Sequence, residues 1–150
     1  MTTDSISTHY IPSQRLRDLV DDNNLLLLVI SRFGIPLGFG DSTIREICRE
    51  NRVDCDTFMA VANLIARHDY SQFHVSLSSL MGYLENAHSY FLDFILPTIR
   101  EKLIKAINCY DVNDVGFLIL KYYDDYVTEV RNHMEYENQT IFPYISRLLE

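Results

Sequence analysis

His133-Met134-Glu135-Tyr136-Glu137 is the stretch on which the fold turns. In a helix, residues four apart lie on one face a turn apart, so His133 and Glu137 point the same way. The face extends in both directions. Counting back by threes and fours from His133 gives Val130, Tyr126, Tyr122 and Ile119, and counting forward from Glu137 gives Ile141. Apolar residues at this spacing predict a long helix with the stripe turned inward. A carboxylate on such a stripe must be neutralised, hydrogen-bonded or metal-bound, because burying a bare charge is costly.

Upstream, a second long helix is predicted from near His74–Ser76. Its stripe reads Leu77, Leu80, Leu84, His88, Phe91 and Ile95, and continues past Pro97 with Ile99, Leu103 and Ile107. Pro97 predicts a kink, since its ring removes a backbone donor and crowds the carbonyl four residues earlier. The turn falls at 108–113, with Asp111 or Asn113 as the next cap. Antiparallel pairing of the two helices brings His88 level with His133 and Glu137. Two imidazoles and a carboxylate suit iron, manganese or zinc. On the residues alone, a plainer reading stays open: an H-x-x-x-E spacing arises by chance on many helices, and a histidine on an apolar stripe is commonly a satisfied core residue. The chain is then a metal-free helical interaction protein. A hairpin of two helices cannot bury both its faces, and a bundle normally takes four. Either C-terminal helices follow Glu150, or two copies pair as a homodimer.

The N-terminal part also reads as helices. Ser13 is placed to cap a helix carrying Leu16, Leu19 and Val20, and Asn23 or Asn24 to cap a second through Leu26, Val29, Ile30 and Phe33. A turn follows from Gly34 to Asp41. Thr43 and Glu46 stand at capping-box spacing, opening a third helix that runs to about Asn51. Asp54 caps a fourth, Cys55 to about Ala66, with Phe58, Val61, Ala62 and Ile65 on one face. The class is all-α: a small helical module over 1–68, a polar connector, and a long antiparallel helix hairpin over 74–150.

Bulk properties narrow the function. A net charge of −8 argues against binding nucleic acid, which needs a basic surface. The longest wholly apolar run, Leu25 to Ile30, is far short of the roughly 18 residues that a membrane span needs. The N-terminus shows no basic segment followed by an apolar one, so a cytoplasmic location is expected. Cys48, Cys55 and Cys109 form no C-x-x-C pair and read as reduced thiols, with Cys48 a packing residue. His68 and His74, in or beside the connector, read as solvated. No phosphate loop or nucleophilic triad is present, so a conventional enzyme is not expected.

Two longer stretches carry a family resemblance. Tyr83-Leu84-Glu85-Asn86-Ala87-His88-Ser89-Tyr90 with Leu96-Pro97, and His133-Met134-Glu135-Tyr136-Glu137 with Ile141-Phe142-Pro143, resemble the first half of a hemerythrin-like (HHE cation-binding) domain. Phe33-Gly34-Ile35-Pro36-Leu37-Gly38-Phe39-Gly40 and Thr43-Ile44-Arg45-Glu46-Ile47-Cys48 resemble the small domain that precedes it in the Repair of Iron Centers (RIC) family of di-iron proteins. The resemblance implies that His88, His133 and Glu137 are ligands of a non-haem di-iron centre, the histidines terminal and the glutamate bridging. It implies a role in repair of iron–sulfur clusters or in nitrosative and oxidative stress, with iron–sulfur proteins as partners. The family's second histidine and second H-x-x-x-E do not occur within 1–150, so the iron site is incomplete here. A symmetric dimer supplies six ligands from two copies. The adjacent cysteines usual in the family's N-terminal module are also missing, Gly38-Phe39 standing in their place. That absence favours a second reading, a hemerythrin-like sensor or binding module for oxygen, nitric oxide or iron.

Overall fold

Capping chemistry sets the helix boundaries. The computed structural model describes residues 9–109 and 114–150; the predicted cap at Asp111 or Asn113 lies outside them. Helices α1 (Leu16–Asp22), α2 (Leu26–Arg32), α3 (Ile44–Glu50) and α4 (Cys55–Ile65) come first. At α3 the capping box forms as its spacing predicts: Glu46 Oε2 accepts from the Thr43 amide at 2.8 Å, and Thr43 Oγ1 accepts from the Glu46 amide at 3.3 Å. Asp54 caps α4 by accepting from the Thr57 amide at 2.8 Å. Asn23 accepts from the Leu25 amide at 3.0 Å, at the entrance to α2. Ser13 does not cap α1. The helix starts after Arg15 without a side-chain cap, and the Leu16 amide donates instead to the Ser42 carbonyl at 3.2 Å. The Ile44 amide returns a bond to Gln14 at 2.9 Å, closing a single antiparallel bridge between Arg15 and Thr43. Among the described residues no strand occurs, and the class is all-α.

The chain divides into two compact units between Leu84 and Glu85, inside the next helix, α5 (Leu77–Tyr90). The core of the first unit holds Leu16, Leu19, Val29, Ile30, Ile44, Ile47, Phe58 and Met59, and Tyr83 joins it. Asn63 is fully buried among them. It accepts from the Tyr10 amide at 2.7 Å and donates to the Met59 carbonyl at 2.9 Å, which satisfies it and pins the segment before α1. Three helices of this unit end alike. After α2, the Gly34 amide bonds Ser31 and the Ile35 amide bonds Ile30; after α3, Arg52 bonds Arg49 and Val53 bonds Cys48; after α4, Arg67 bonds Leu64 and His68 bonds Asn63. This is the paired-bond left-handed cap, and it requires positive φ at the first residue past the cap. Gly34 adopts 70° without cost, but Arg52 and Arg67 adopt 56° and 60° against their side chains. Beyond Gly34 the turn lines a groove of about 480 Å³ with Leu27, Ser31, Ile35, Pro36 and Leu37.

In the second unit, two long helical rods form a hairpin. The first continues from α5 through a π turn, Phe91–Ile95, into α6 (Leu96–Cys109). The second is α7 (Asp114–Tyr136), a second π turn, Glu137–Ile141, and α8 (Phe142–Leu148). Both π turns stand immediately before an apolar-proline pair, Leu96-Pro97 and Phe142-Pro143. The Leu96 amide reaches back five residues to the Phe91 carbonyl, and the Phe142 amide to that of Glu137. Asp93 and Gln139, whose carbonyls a proline four residues later would crowd, lie inside these wider turns. Here Pro97 thus stands behind a π turn, where the sequence predicts only a kink. The extra residue also moves the buried stripe on by one: Leu92, Leu96 and Phe142 are buried, rather than the predicted Phe91, Ile95 and Ile141.

Contacts between α6 and α7 run along one side of each. Gly116 is buried against Ile107, Tyr123 Oη donates to the Leu96 carbonyl at 2.6 Å, and Arg100 meets Asp124. The predicted inner stripe of α7 lies away from these contacts. Ile119, Tyr122 and Tyr126 are exposed, Tyr122 at 74%. The correction has a simple cause, for one neighbouring helix covers one side of α7 and leaves this stripe to water.

Candidate metal centre

The second π turn opens on Glu137, one turn beyond His133, while α5 delivers His88 from its last turn. His88 is buried, its ring stacked on Phe142 with centroids 5.9 Å apart and planes 17° from parallel. Its Nε2 lies 3.4 Å from Glu137 Oε2. His133 Nε2 lies 3.3 Å from the other oxygen, Oε1. The three residues singled out from the sequence therefore meet, with one imidazole on each oxygen of a single carboxylate. Their surroundings differ. The Glu137 side chain is 31% exposed and that of His133 70%, so the centre is closed on the His88 side and open on the His133 side.

The donors can be tested against a metal. Bonds of about 2.1 Å place neighbouring ligand atoms roughly 3.0 to 3.4 Å apart, depending on geometry. The two nitrogen–oxygen separations match that edge. Among the described residues, however, no group of three or more His, Cys, Asp or Glu side chains is placed to hold a metal ion. The two histidines attend different oxygens of Glu137. Were Glu137 to bridge two ions, each would have one imidazole and one oxygen from this chain.

Two contributors are not evident from helical spacing. Phe142 covers His88, and its only signal is the proline after it. Asn138 Oδ1 sits 2.9 Å from His88 Nδ1; adjacent to Glu137, it belongs on another face of a regular helix. His68 and His74 lie outside this centre. His68 packs edge-on against Tyr10, centroids 4.9 Å apart, rather than being a solvated linker residue, and His74 is exposed. Cys48 is buried, and its thiol shares a hydrogen bond with that of Cys55. Burial pushes both thiols above the ordinary cysteine range, which makes them poor nucleophiles and fits Cys48 as a packing residue. Among the described residues no helix is long and apolar enough to cross a membrane. Comparison with family models, curated proteins and solved structures finds no match to this chain.

Proposed function

We propose that this chain is a cytoplasmic, hemerythrin-like, non-haem di-iron protein, acting in repair of iron–sulfur clusters or in the response to nitrosative and oxidative stress. The observation that carries the iron reading is the division of Glu137 between His88 on Oε2 and His133 on Oε1. That is the disposition a carboxylate needs to bridge two ions, each with its own imidazole. The physiological role is taken from the RIC resemblance. A di-iron centre supplies one-electron redox chemistry when bound. The chain's own part is to hold the two imidazoles and the carboxylate in register, and to keep water from the His88 side with the Phe142 ring.

Three donors leave each iron short of ligands. A second copy related by a two-fold axis offers His88, His133 and Glu137 again. The exposed stripe of Ile119, Tyr122 and Tyr126, which steps at helical spacing into His133, is an apolar surface for that copy to cover. The lack of a cysteine at Pro36 to Phe39 favours a second reading, a sensor that binds a diatomic gas or iron without thiol chemistry.

Anaerobic expression followed by metal analysis and Mössbauer spectroscopy tests the proposal. Two coupled irons per complete site are expected, with a dimeric mass in the presence of iron. Absence of bound iron, with no change in metal content on His133→Ala or Glu137→Ala, refutes the iron reading. A monomeric mass with iron bound refutes the dimer.

A further inference from the structure

The imidazole of His88 is held at both nitrogens by consecutive residues. Glu137 faces Nε2 and Asn138 faces Nδ1. In a regular helix, neighbouring side chains diverge by a full helical step. The second π turn begins at Glu137 and spreads its residues over a wider circle, so that two adjacent side chains can address one ring.

The oxygen of an amide only accepts hydrogen bonds. The 2.9 Å contact of Nδ1 with Asn138 Oδ1 is a hydrogen bond when the proton sits on Nδ1. In the neutral ring with its proton there, Nε2 turns its lone pair toward Glu137. The 3.4 Å separation there agrees, since an N–H donated to a carboxylate draws in to about 2.7–2.9 Å. In that form the two donor atoms are spaced as neighbouring ligands of one ion are, 3.4 Å apart.

We propose that Asn138 is the positioning residue of this centre: its side-chain oxygen holds His88 in the Nδ1–H tautomer and so keeps Nε2 free as a donor toward a cation shared with Glu137. Orientation of a metal-binding histidine through its second nitrogen is a general device of such sites. The cation in this inference rests on the di-iron reading; the tautomer does not.

The test takes both in turn. In the metal-free full chain, nitrogen–proton correlation spectra of the histidine rings are expected to show His88 protonated at Nδ1. Asn138→Ala is expected to move the proton to Nε2, and Asn138→Asp, which keeps an acceptor at the same place, to retain it on Nδ1. Protonation at Nε2 in the wild type overturns the proposal, as does an unchanged tautomer in a folded Asn138→Ala. Titration with cobalt(II) then follows. Asn138→Ala is expected to bind ten- to a hundredfold more weakly than wild type, with Asn138→Asp recovering most of the loss. Equal cobalt affinity in wild type and Asn138→Ala overturns the role toward the metal. Were no variant to take up cobalt while the tautomer behaves as expected, the tautomer assignment would stand and the di-iron reading would fall.

Discussion

The hydroxyl of Tyr123 donates to the backbone carbonyl of Leu96 at 2.6 Å, joining the middle of α7 to the residue at which the first π turn gives way to α6. Partial burial, reinforced by neighbouring Tyr126 and Asp124, raises this phenol above the ordinary tyrosine range, so it stays a donor throughout the neutral range. Tyr123→Phe leaves the carbonyl without this partner. The expected loss is about 1 kcal/mol in urea unfolding with an unchanged m-value.

Arg100 and Asp124 lock the hairpin beside this bond. Nε and Nη2 of the guanidinium reach the two carboxylate oxygens at 2.8 and 3.0 Å. The hydrogen bonds from Arg100 hold the Asp124 carboxyl below the usual carboxylate range. A depressed pKa in the folded state contributes stability above the unfolded pKa, and that contribution disappears as pH falls through the folded one. Asp124→Asn should therefore melt below wild type at pH 7. The gap should begin to narrow as the pH falls below about 4 and close only below the depressed folded pKa, and it should narrow in 1 M salt at neutral pH. A gap that persists undiminished into acid would show that the charge is not its origin.

Arg67 occupies a left-handed position without being glycine or asparagine. Arg67→Gly removes the clash of its Cβ with the backbone and should raise stability by about 1 kcal/mol, less the entropy that glycine adds to the unfolded chain. The measurement is the denaturant midpoint, which should move up; a fall would mean that the arginine side chain contributes more than its strain costs.

Gly116 predicts the opposite sign. A Cβ built there lies 2.7 Å from Ile107 Cγ2, closer than packed atoms approach. Gly116→Ala should lower stability by about 1–2 kcal/mol through overpacking between α6 and α7. Ile107→Ala, which removes that Cγ2, should cost less in the Gly116→Ala background than in wild type, a coupling that a double-mutant cycle would read directly.

Much of this was legible in the chain. Thr43, Glu46 and Asp54 announce their helices because a cap is local: donor, acceptor and spacing all lie within four residues. His88, His133 and Glu137 were legible for a similar reason, since a period of three to four brings each onto its own stripe. Other features depend on partners far away in sequence. Ser13 fails as a cap because the Ser42 carbonyl, brought up by the Arg15–Thr43 bridge, takes the amide it would have served. Arg52 and Arg67 give no sign of left-handed backbone. The stripe from Ile119 to Tyr126 reads as core but is exposed, because periodicity reports that a helix has an apolar side without reporting what covers it. Asn138 was invisible because the helical period assigns it to a face it does not occupy once the turn widens.

The two π turns make length, rather than composition, the guarded quantity in these rods. Each stores one surplus residue in an otherwise continuous helix. Deleting a single residue from 91–95 or from 137–141 would let the same amide and carbonyl pair in the ordinary four-residue pattern, keeping the rod downstream in phase but erasing the wide turn. Phe142 would keep its side of the rod, but Glu137 and the residue after it would diverge by a full helical step, and His88 would lose one of its two partners. Substitutions at the exposed Asp93 or Gln139 leave the wide turn intact. Related chains that share this centre should consequently vary in letter across both segments while keeping the residue count from histidine to proline fixed.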